Sequence, residues 1–314
     1  MNILAIGAGG FLGSFIVAEL VELGHTVTIM DFKPAPQTGP EDPVRRIRGD
    51  VTSMDDVRRA MEASRPEVVL SLAGLLTRLC AQEPFKAVQV NIVGVASVLE
   101  QARLHGVRRV VNASSAAVCS PDRVDTGESC RVSPEVSMYG ATKFLDEVMS
   151  REYRRNYGLE AVNLRYTLIY GPGDVATPGN AMRLKTIESA VTGKDVIIDD
   201  AYDTDCAHLL HVKDAAHATV LALTAPGALK TVYNIAGVPE DFLSFSNIVD
   251  ILRRINPNAG AVEFKGSGVP VENGLYLCDA ARQDFGYIPE YTAEKGFREN
   301  AEILMRSCRE EGPR

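Results

Sequence analysis

Tyr139 and Lys143 stand four residues apart in the run Ser137-Met138-Tyr139-Gly140-Ala141-Thr142-Lys143. The stretch that starts there has a helical pattern out to about residue 157. On a helix, positions i and i+4 project from one face, so a phenol and an ammonium would stand one above the other. A nearby cation favours the phenolate and draws a Tyr pKa down from its reference of about 10. That makes Tyr139 a candidate proton acceptor and donor. The spacing also falls by chance on ordinary amphipathic helices, so other residues must support it.

Gly7-Ala8-Gly9-Gly10-Phe11-Leu12-Gly13 follows the first strand-like run and opens the first helical one. Glycines at 7, 10 and 13 would permit a tight turn, a close approach of backbone to pyrophosphate, and close packing of helix on strand. A plain strand–helix connection could carry the same glycines. The position at the head of an alternating pattern points to a dinucleotide site. Asp31 ends the second strand, where a carboxylate can bond both ribose hydroxyls and repel a 2′-phosphate, favouring NAD over NADP. Lys33 nearby could partly accept that phosphate. Asp50-Val51 closes the third strand, where Asp50 could meet an adenine amino group or simply cap the next helix. Leu72-Ala73-Gly74 ends the fourth strand in small residues, as a ligand's approach requires. Ser114 and Ser115 end the fifth, at the carboxyl edge where open α/β sheets bind ligands. Their hydroxyls could hold a substrate oxygen or merely end the strand. Read from spacing alone, Asn91 is a helix-surface amide.

These residues need a scaffold, and the periodicity supplies one. Strand-like runs at Asn2–Ile6, Thr26–Met30, Arg45–Arg48, Glu67–Leu72, Arg108–Ala113 and Glu160–Arg165 alternate with helical patterns near 10–23, 53–64, 80–105 and 138–157. This predicts a Rossmann-type, doubly wound parallel α/β sheet. The stretch 167–206 is rich in Gly, Pro and Asp. A strand at Ala207–Val212, a helix to Leu223 and a strand at Val232–Ala236 follow, then a mixed tail with helices near 244–254 and 293–310. The expected division is 1–166 with 207–236 as the dinucleotide domain, and 167–206 with 237–314 as a smaller, interwoven substrate subdomain.

The 314 residues are 46% hydrophobic and 24% charged, with a formal charge of −8. This is an ordinary globular composition, and the acidity argues against nucleic acid or acidic membrane as partner. Short basic runs such as Arg45-Arg46 and Arg108-Arg109 read as solvated faces or element ends. No run of about 18 apolar residues predicts a membrane span. Cys80, Cys119, Cys130, Cys206, Cys278 and Cys308 have no disulfide-framework or Cys-x-x-Cys spacing, so reduced, buried thiols and a cytoplasmic location are expected. Cys206, His208 and His211 do not share one strand face, so no metal site is expected.

Taken in order, Gly-x-x-Gly-x-x-Gly at 7–13, Asp31, Gly49-Asp50-Val51, Leu72-Ala73-Gly74, Asn91, Ser114-Ser115-Ala116-Ala117-Val118, Tyr139-x-x-x-Lys143 and Leu164-Arg165-Tyr166 with Tyr170-Gly171-Pro172-Gly173 resemble the extended short-chain dehydrogenase/reductases, the NAD-dependent epimerase/dehydratase group. The resemblance runs from residue 2 to about 236. It implies NAD as cofactor, held by Gly7, Gly10, Phe11, Leu12, Gly13, Asp31, Asp50, Val51, Leu72, Ala73, Gly74, Asn91, Tyr139, Lys143 and Tyr166. It implies Ser115 as the hydroxyl on the reacting oxygen, Tyr139 as acid/base, and Lys143 as the cation on the nicotinamide ribose that depresses the Tyr pKa. Tyr139 would take the proton of a secondary alcohol while hydride passes to NAD⁺. Cys119 replaces a family Tyr. A homodimer through the helices 80–105 and 138–157 is also implied.

The substrate is less plainly written. Leu168 stands where the nucleotide-sugar branch commonly has Asn. Ala207 stands where it has an Arg that grips a diphosphate, and a later Arg is missing from Pro270–Leu275. A buried diphosphate needs charge compensation, best from Arg. Thr77, Ser115, Ala116 and Arg183 are the candidate substrate contacts. The preferred expectation is a dehydrogenase of a small polyol, hydroxy acid or sugar-like alcohol. A UDP-sugar epimerase or dehydratase is the alternative. A non-catalytic dinucleotide sensor is a third, disfavoured because Tyr139 and Lys143 are both present.

Overall fold

The computed structural model describes residues 1–34, 42–119, 125–130, 132, 136–173, 181–199, 201–266 and 274–310. β1 (Asn2–Ile6) leads through α1 (Phe11–Glu22) to β2 (Thr26–Asp31) and β3 (Val44–Arg48), and α2 (Met54–Ser64) returns to β4 (Val68–Ser71). Two short helices follow, α3 (Thr77–Gln82) and α4 (Pro84–Ala87), then a π-helical turn (Val88–Val93) and α5 (Gly94–Leu104). Next come β5 (Arg109–Ser115), β6 (Asp125–Thr126), α6 (Met138–Tyr157), β7 (Glu160–Tyr166) and β8 (Leu168–Tyr170). α7 (Ala181–Thr192), β9 (Val196–Ile198), β10 (Cys206–His211), α8 (Val212–Thr224) and β11 (Val232–Ile235) lead into the tail. There β12 (Phe242–Ser244), α9 (Phe245–Ile255), β13 (Val262–Phe264), β14 (Leu275–Tyr276), α10 (Asp279–Phe285) and α11 (Ala293–Glu310) complete the chain.

The central sheet has the order β3-β2-β1-β4-β5-β7-β11, and every pairing in it is parallel. Its inner strands are buried on both faces, as their Val, Ile and Leu content requires. α1 and α8 cover one face through Ile16, Leu20, Ala218 and Leu223. On the other face α2 and α5 pack Val57, Met61, Val98 and Leu99 against Leu4, Val69 and Val110. Strand order reverses between β1 and β4, which opens a crevice at their carboxyl ends. A separate apolar cluster joins β8 and β10 to α7, α9 and α11 through Ile187, Leu209, Ile248, Leu252 and Phe297. β10 pairs with β8 and β12 rather than with the central sheet, whereas the helix after it packs on α1.

Two expectations need correction. The single helix read at 80–105 is broken: Pro84 starts a new helix at its first position, and the backbone widens into a π turn before α5. Proline lacks the N–H that would continue the preceding helix. The Arg108-Arg109 run is not simply a solvated face, because Arg109 is completely buried. Its guanidinium meets Glu160 at 2.9 Å and donates to the carbonyls of Ala222, Ala225 and Gly227. The strand thereby supplies donors to carbonyls at the end of α8 that the helix cannot satisfy itself.

Candidate active site

The glycine turn and the end of β4 face each other across the strand-order reversal. Gly7 has φ of +75°, and a Cβ there would lie 2.4 Å from the backbone N of Ala73. A Cβ on Gly13 would lie 2.4 Å from the Ala8 carbonyl, so α1 presses directly on the turn. Gly10 differs, since a Cβ on it would meet nothing within 4 Å. Its backbone faces open space at the N-terminus of α1, where no side chain caps the helix and no acid sits in the first turn. Free N–H groups with space before them are what a pyrophosphate requires. Phe11 and Leu12, in that same turn, are half-buried.

Asp31 is held beside this turn. One carboxylate oxygen accepts from Gly9 N at 3.1 Å and the other from Lys33 N at 3.1 Å. Asp50 has one oxygen committed to the Thr52 N–H and hydroxyl, at 2.9 and 2.8 Å, so it braces its own turn. Val51 is buried and would contact a Cβ on Gly94 at 2.9 Å, which makes it a packing residue of α5. Leu72 N donates to Ile6 O, leaving Ala73 and Gly74 to project beyond the sheet.

Asn91 is a correction to the surface reading, because it is fully buried. Its side-chain oxygen accepts from Leu75 N at 2.7 Å, and its nitrogen donates to Leu75 O at 3.1 Å and to Thr142 Oγ1 at 3.0 Å. The π turn aims this amide inward, as such turns often do at functional sites. Asn91 thus clamps the segment after β4 to α6. A Cβ on Gly74 would lie 3.5 Å from both Asn91 Oδ1 and Lys143 Nζ, so these groups converge on one backbone position.

α6 begins where Ser137 Oγ accepts from Gly140 N at 3.1 Å, and it ends at Gly158 with φ of +71°. Its buried stripe is polar: Gly140, Thr142, Lys143, Asp146, Glu147 and Ser150. Tyr139 is half-buried one turn above Lys143. A Cβ on Gly140 would sit 2.2 Å from the Ala117 carbonyl, so the first turn of α6 rests on the turn that follows Ser115. That contact brings the Tyr139–Lys143 face to the carboxyl end of β5. Ser115 Oγ accepts from Ala117 N at 3.2 Å, which leaves its proton free to donate.

Ser114 points the opposite way and donates to Glu147 at 2.8 Å. Glu147 also receives a two-pronged pair from Arg165, at 2.7 and 2.6 Å, with both side chains buried. Arg165 then donates to the Glu128 carbonyl at 3.0 Å and approaches Cys130 Sγ. The motif reading overlooked Glu147 and Asp146, although they lie at i+4 and i+3 from Lys143. Tyr166 places its ring in the core with its hydroxyl 2.7 Å from Thr219, so only its backbone lies beside the site. Thr77 is exposed at the start of α3, and Arg183 lies in α7 with its side chain outside the described residues. Ala116 gives its carbonyl to the Tyr276 hydroxyl at 3.1 Å.

The cysteine expectation is corrected here. Cys119 and Cys130 form a disulfide, with Cα atoms 5.6 Å apart. A spacing of 11 residues carries no framework signature, yet the two sulfurs meet, and the Arg165 guanidinium approaches both. On β10, Ala207 is buried. His208 lies between the Val238 carbonyl and Tyr276 N, and His211 stacks on Tyr291 at 3.9 Å. Burial lowers both imidazole pKa values, that of His211 to about 4, so neither is a cation at neutral pH. Among the described residues, no group of three His, Cys, Asp or Glu side chains could hold a metal, and no helix is long and apolar enough to cross a membrane.

A model of the NAD dependent epimerase/dehydratase family matches residues 3–236. The chain belongs to this family. The family is NAD-dependent, and the open cradle at Gly10 with Asp31 beside it fits that cofactor. Among curated relatives, a UDP-glucose 4-epimerase of Corynebacterium glutamicum is 29% identical over 96% of this chain and 94% of its own. Among solved structures, MoeE5 in complex with UDP-glucuronic acid and NAD superposes with a TM-score of 0.86 at 25% identity, covering 98% of this chain and all of that one. L-threonine 3-dehydrogenase from Trypanosoma brucei has a TM-score of 0.87 at 20% identity over 98% of this chain and 97% of its own, a likeness of fold alone. Gly7, Gly10 and Gly13, together with Tyr139 and Lys143, lie within the stretch that the family model matches.

Proposed function

We propose that this protein is an NAD-dependent epimerase of a nucleotide sugar, acting at a secondary hydroxyl of the sugar ring. One observation carries the reading: the likeness to UDP-glucose 4-epimerase runs through the substrate half of the chain as well as the dinucleotide half. It supports the alternative of the sequence reading better than the preferred dehydrogenase of a small alcohol. The Gly10 turn, Asp31 and Lys143 would hold NAD, which when bound would supply hydride acceptance and return. Tyr139 takes the hydroxyl proton and later gives it back. Ser115 donates to the substrate oxygen as it gains carbonyl character. Lys143 stabilises the phenolate from one helical turn below.

A second reading, oxidation of a small polyol or hydroxy acid, draws on one specific observation. The strand that carries a diphosphate-binding Arg in many relatives presents here a buried Ala207 and two uncharged imidazoles. Calorimetric titration with UDP separates the two readings. Saturable binding at micromolar UDP is expected for the epimerase. No binding at millimolar UDP would reject a UDP-sugar epimerase and favour the small-alcohol reading.

We also infer a homodimer. Phe85, Val88 and Val93 on the α4–α5 segment and Leu145 on α6 expose apolar side chains, Phe85 at 75%. The segments that carry them pack on one another, and apolar exposure gathered on adjoining elements is what an interface would cover. Light scattering should give twice the chain mass; the mass of one chain would reject this.

A further inference from the structure

Lys143, one helical turn along α6 from Tyr139, is held by a carboxylate of the same helix. Its ammonium lies 3.4 Å from Asp146 Oδ2, and both side chains are almost wholly buried. Glu147, the next acid on α6, is already matched by the two-pronged Arg165 pair. Asp146 is therefore the buried carboxylate left to the catalytic lysine. It borders a polar layer on the sheet: Ser150 Oγ donates to the Asp146 carbonyl at 2.8 Å and receives from Asn112 Nδ2 at 3.3 Å, and Asn112 pairs in register with Ser71. Asp146 Oδ1, Ser71 Oγ and Asn112 Oδ1 are buried there without a hydrogen-bond partner among the described residues.

We propose that Asp146 is a positioning residue for the acid/base pair, holding the Lys143 ammonium and tempering the field it exerts on Tyr139. The inference rests on Tyr139 and Lys143 being the acid/base pair, not on the identity of the substrate. An ionised Asp146 makes Lys143 half of a neutral pair as felt from Tyr139, whereas a neutral side chain at 146 would leave the full positive charge. Tyr139 and Asp146 are seven residues apart, about 10 Å along the helix, close enough in a buried setting to matter by about one pH unit. An acid/base that must both take and return a proton works best with its pKa near the operating pH, so a phenolate made too stable would be a poor base.

The other groups facing this pair can be named. On α6, besides Asp146, there is Glu147. On β7, Arg165 is held by Glu147, and on α3, Cys80 is kept a neutral thiol by burial. Glu100 of α5 lies farther along, bonded to Tyr153 and Arg103. Burial raises the Asp146 pKa to about 7, against the opposing pull of Lys143, so its charge changes within the neutral range.

The test needs no substrate. In the NAD-loaded protein, the ultraviolet phenolate signal of Tyr139 is isolated as the difference between each protein and its Tyr139→Phe counterpart, and titrated with pH. Asp146→Asn should move the midpoint down by about one pH unit, and Asp146→Glu should restore it most of the way. Asp146→Ser provides a second uncharged variant, so a packing fault in one does not decide the matter. A midpoint that stays in place or rises in the uncharged variants overturns the proposal. If the protein proves not to be an epimerase, this titration still decides the role of Asp146.

Discussion

Tyr139→Phe should lower turnover by about 10²–10⁴-fold while the protein keeps its fold and its cofactor. The substitution removes one oxygen and leaves the ring in its half-buried place at the head of α6. It removes nothing from the helix cap at Ser137, from the Asn91 clamp on Thr142, or from the Gly140–Ala117 contact. NAD affinity should change by no more than about tenfold, the worth of one hydrogen bond. Steady-state turnover and NAD titration on the same preparation check both halves. Turnover within a factor of a few of the wild type would remove Tyr139 from the chemistry, whatever the substrate.

Glu147→Ala should be the most destabilising single change near the site. It strands the buried Arg165 guanidinium and removes the acceptor of Ser114 Oγ. Breaking a buried ion pair by removing one partner costs about 3–5 kcal/mol, which for a chain of this size corresponds to a fall in melting temperature on the order of 10 °C. The loss extends beyond stability, because Arg165 also holds the segment at Glu128 and Cys130 beside the end of β5. Ser115 should therefore lose its alignment even in molecules that remain folded. Pairing Glu147→Leu with Arg165→Met should recover much of the stability, since two apolar groups leave no uncompensated charge. Thermal melts of the two single variants and the double variant test this. Additive losses would mean the pair is not coupled.

The distribution of what could be read from the chain has physical causes. The strands of the central sheet emerged from their apolar runs because a strand buried on both faces must be apolar, whatever its neighbours. The Gly7–Gly13 turn and the Tyr139–Lys143 face were readable because each depends on local geometry alone. Asn91 was not, because one π turn rotates an apparent surface amide into the interior, and i→i+5 bonding leaves no periodic mark. The Glu147–Arg165 pair lay hidden because helical spacing shows which residues share a face but not which strand lies beneath them. Arg109 does begin a strand, as an element end, but its burial was hidden for the same reason, since its partners come from β7 and from the end of α8. The Cys119–Cys130 bridge was not readable because a separation of 11 residues carries no disulfide-framework pattern. The substrate half was read least well, because it was judged by missing cations at Ala207 and Pro270–Leu275, and an absent residue says little about what replaces it.

On the proposed function, Tyr139, Lys143 and Ser115 use NAD to invert a sugar hydroxyl with no net oxidation. Proton NMR of UDP-glucose incubated with the NAD-loaded protein tests it most directly. The predicted result is conversion to the epimeric UDP-sugar up to a fixed equilibrium ratio, with no stoichiometric NADH. An unchanged UDP-sugar, together with stoichiometric NADH from a small polyol or hydroxy acid, would contradict it.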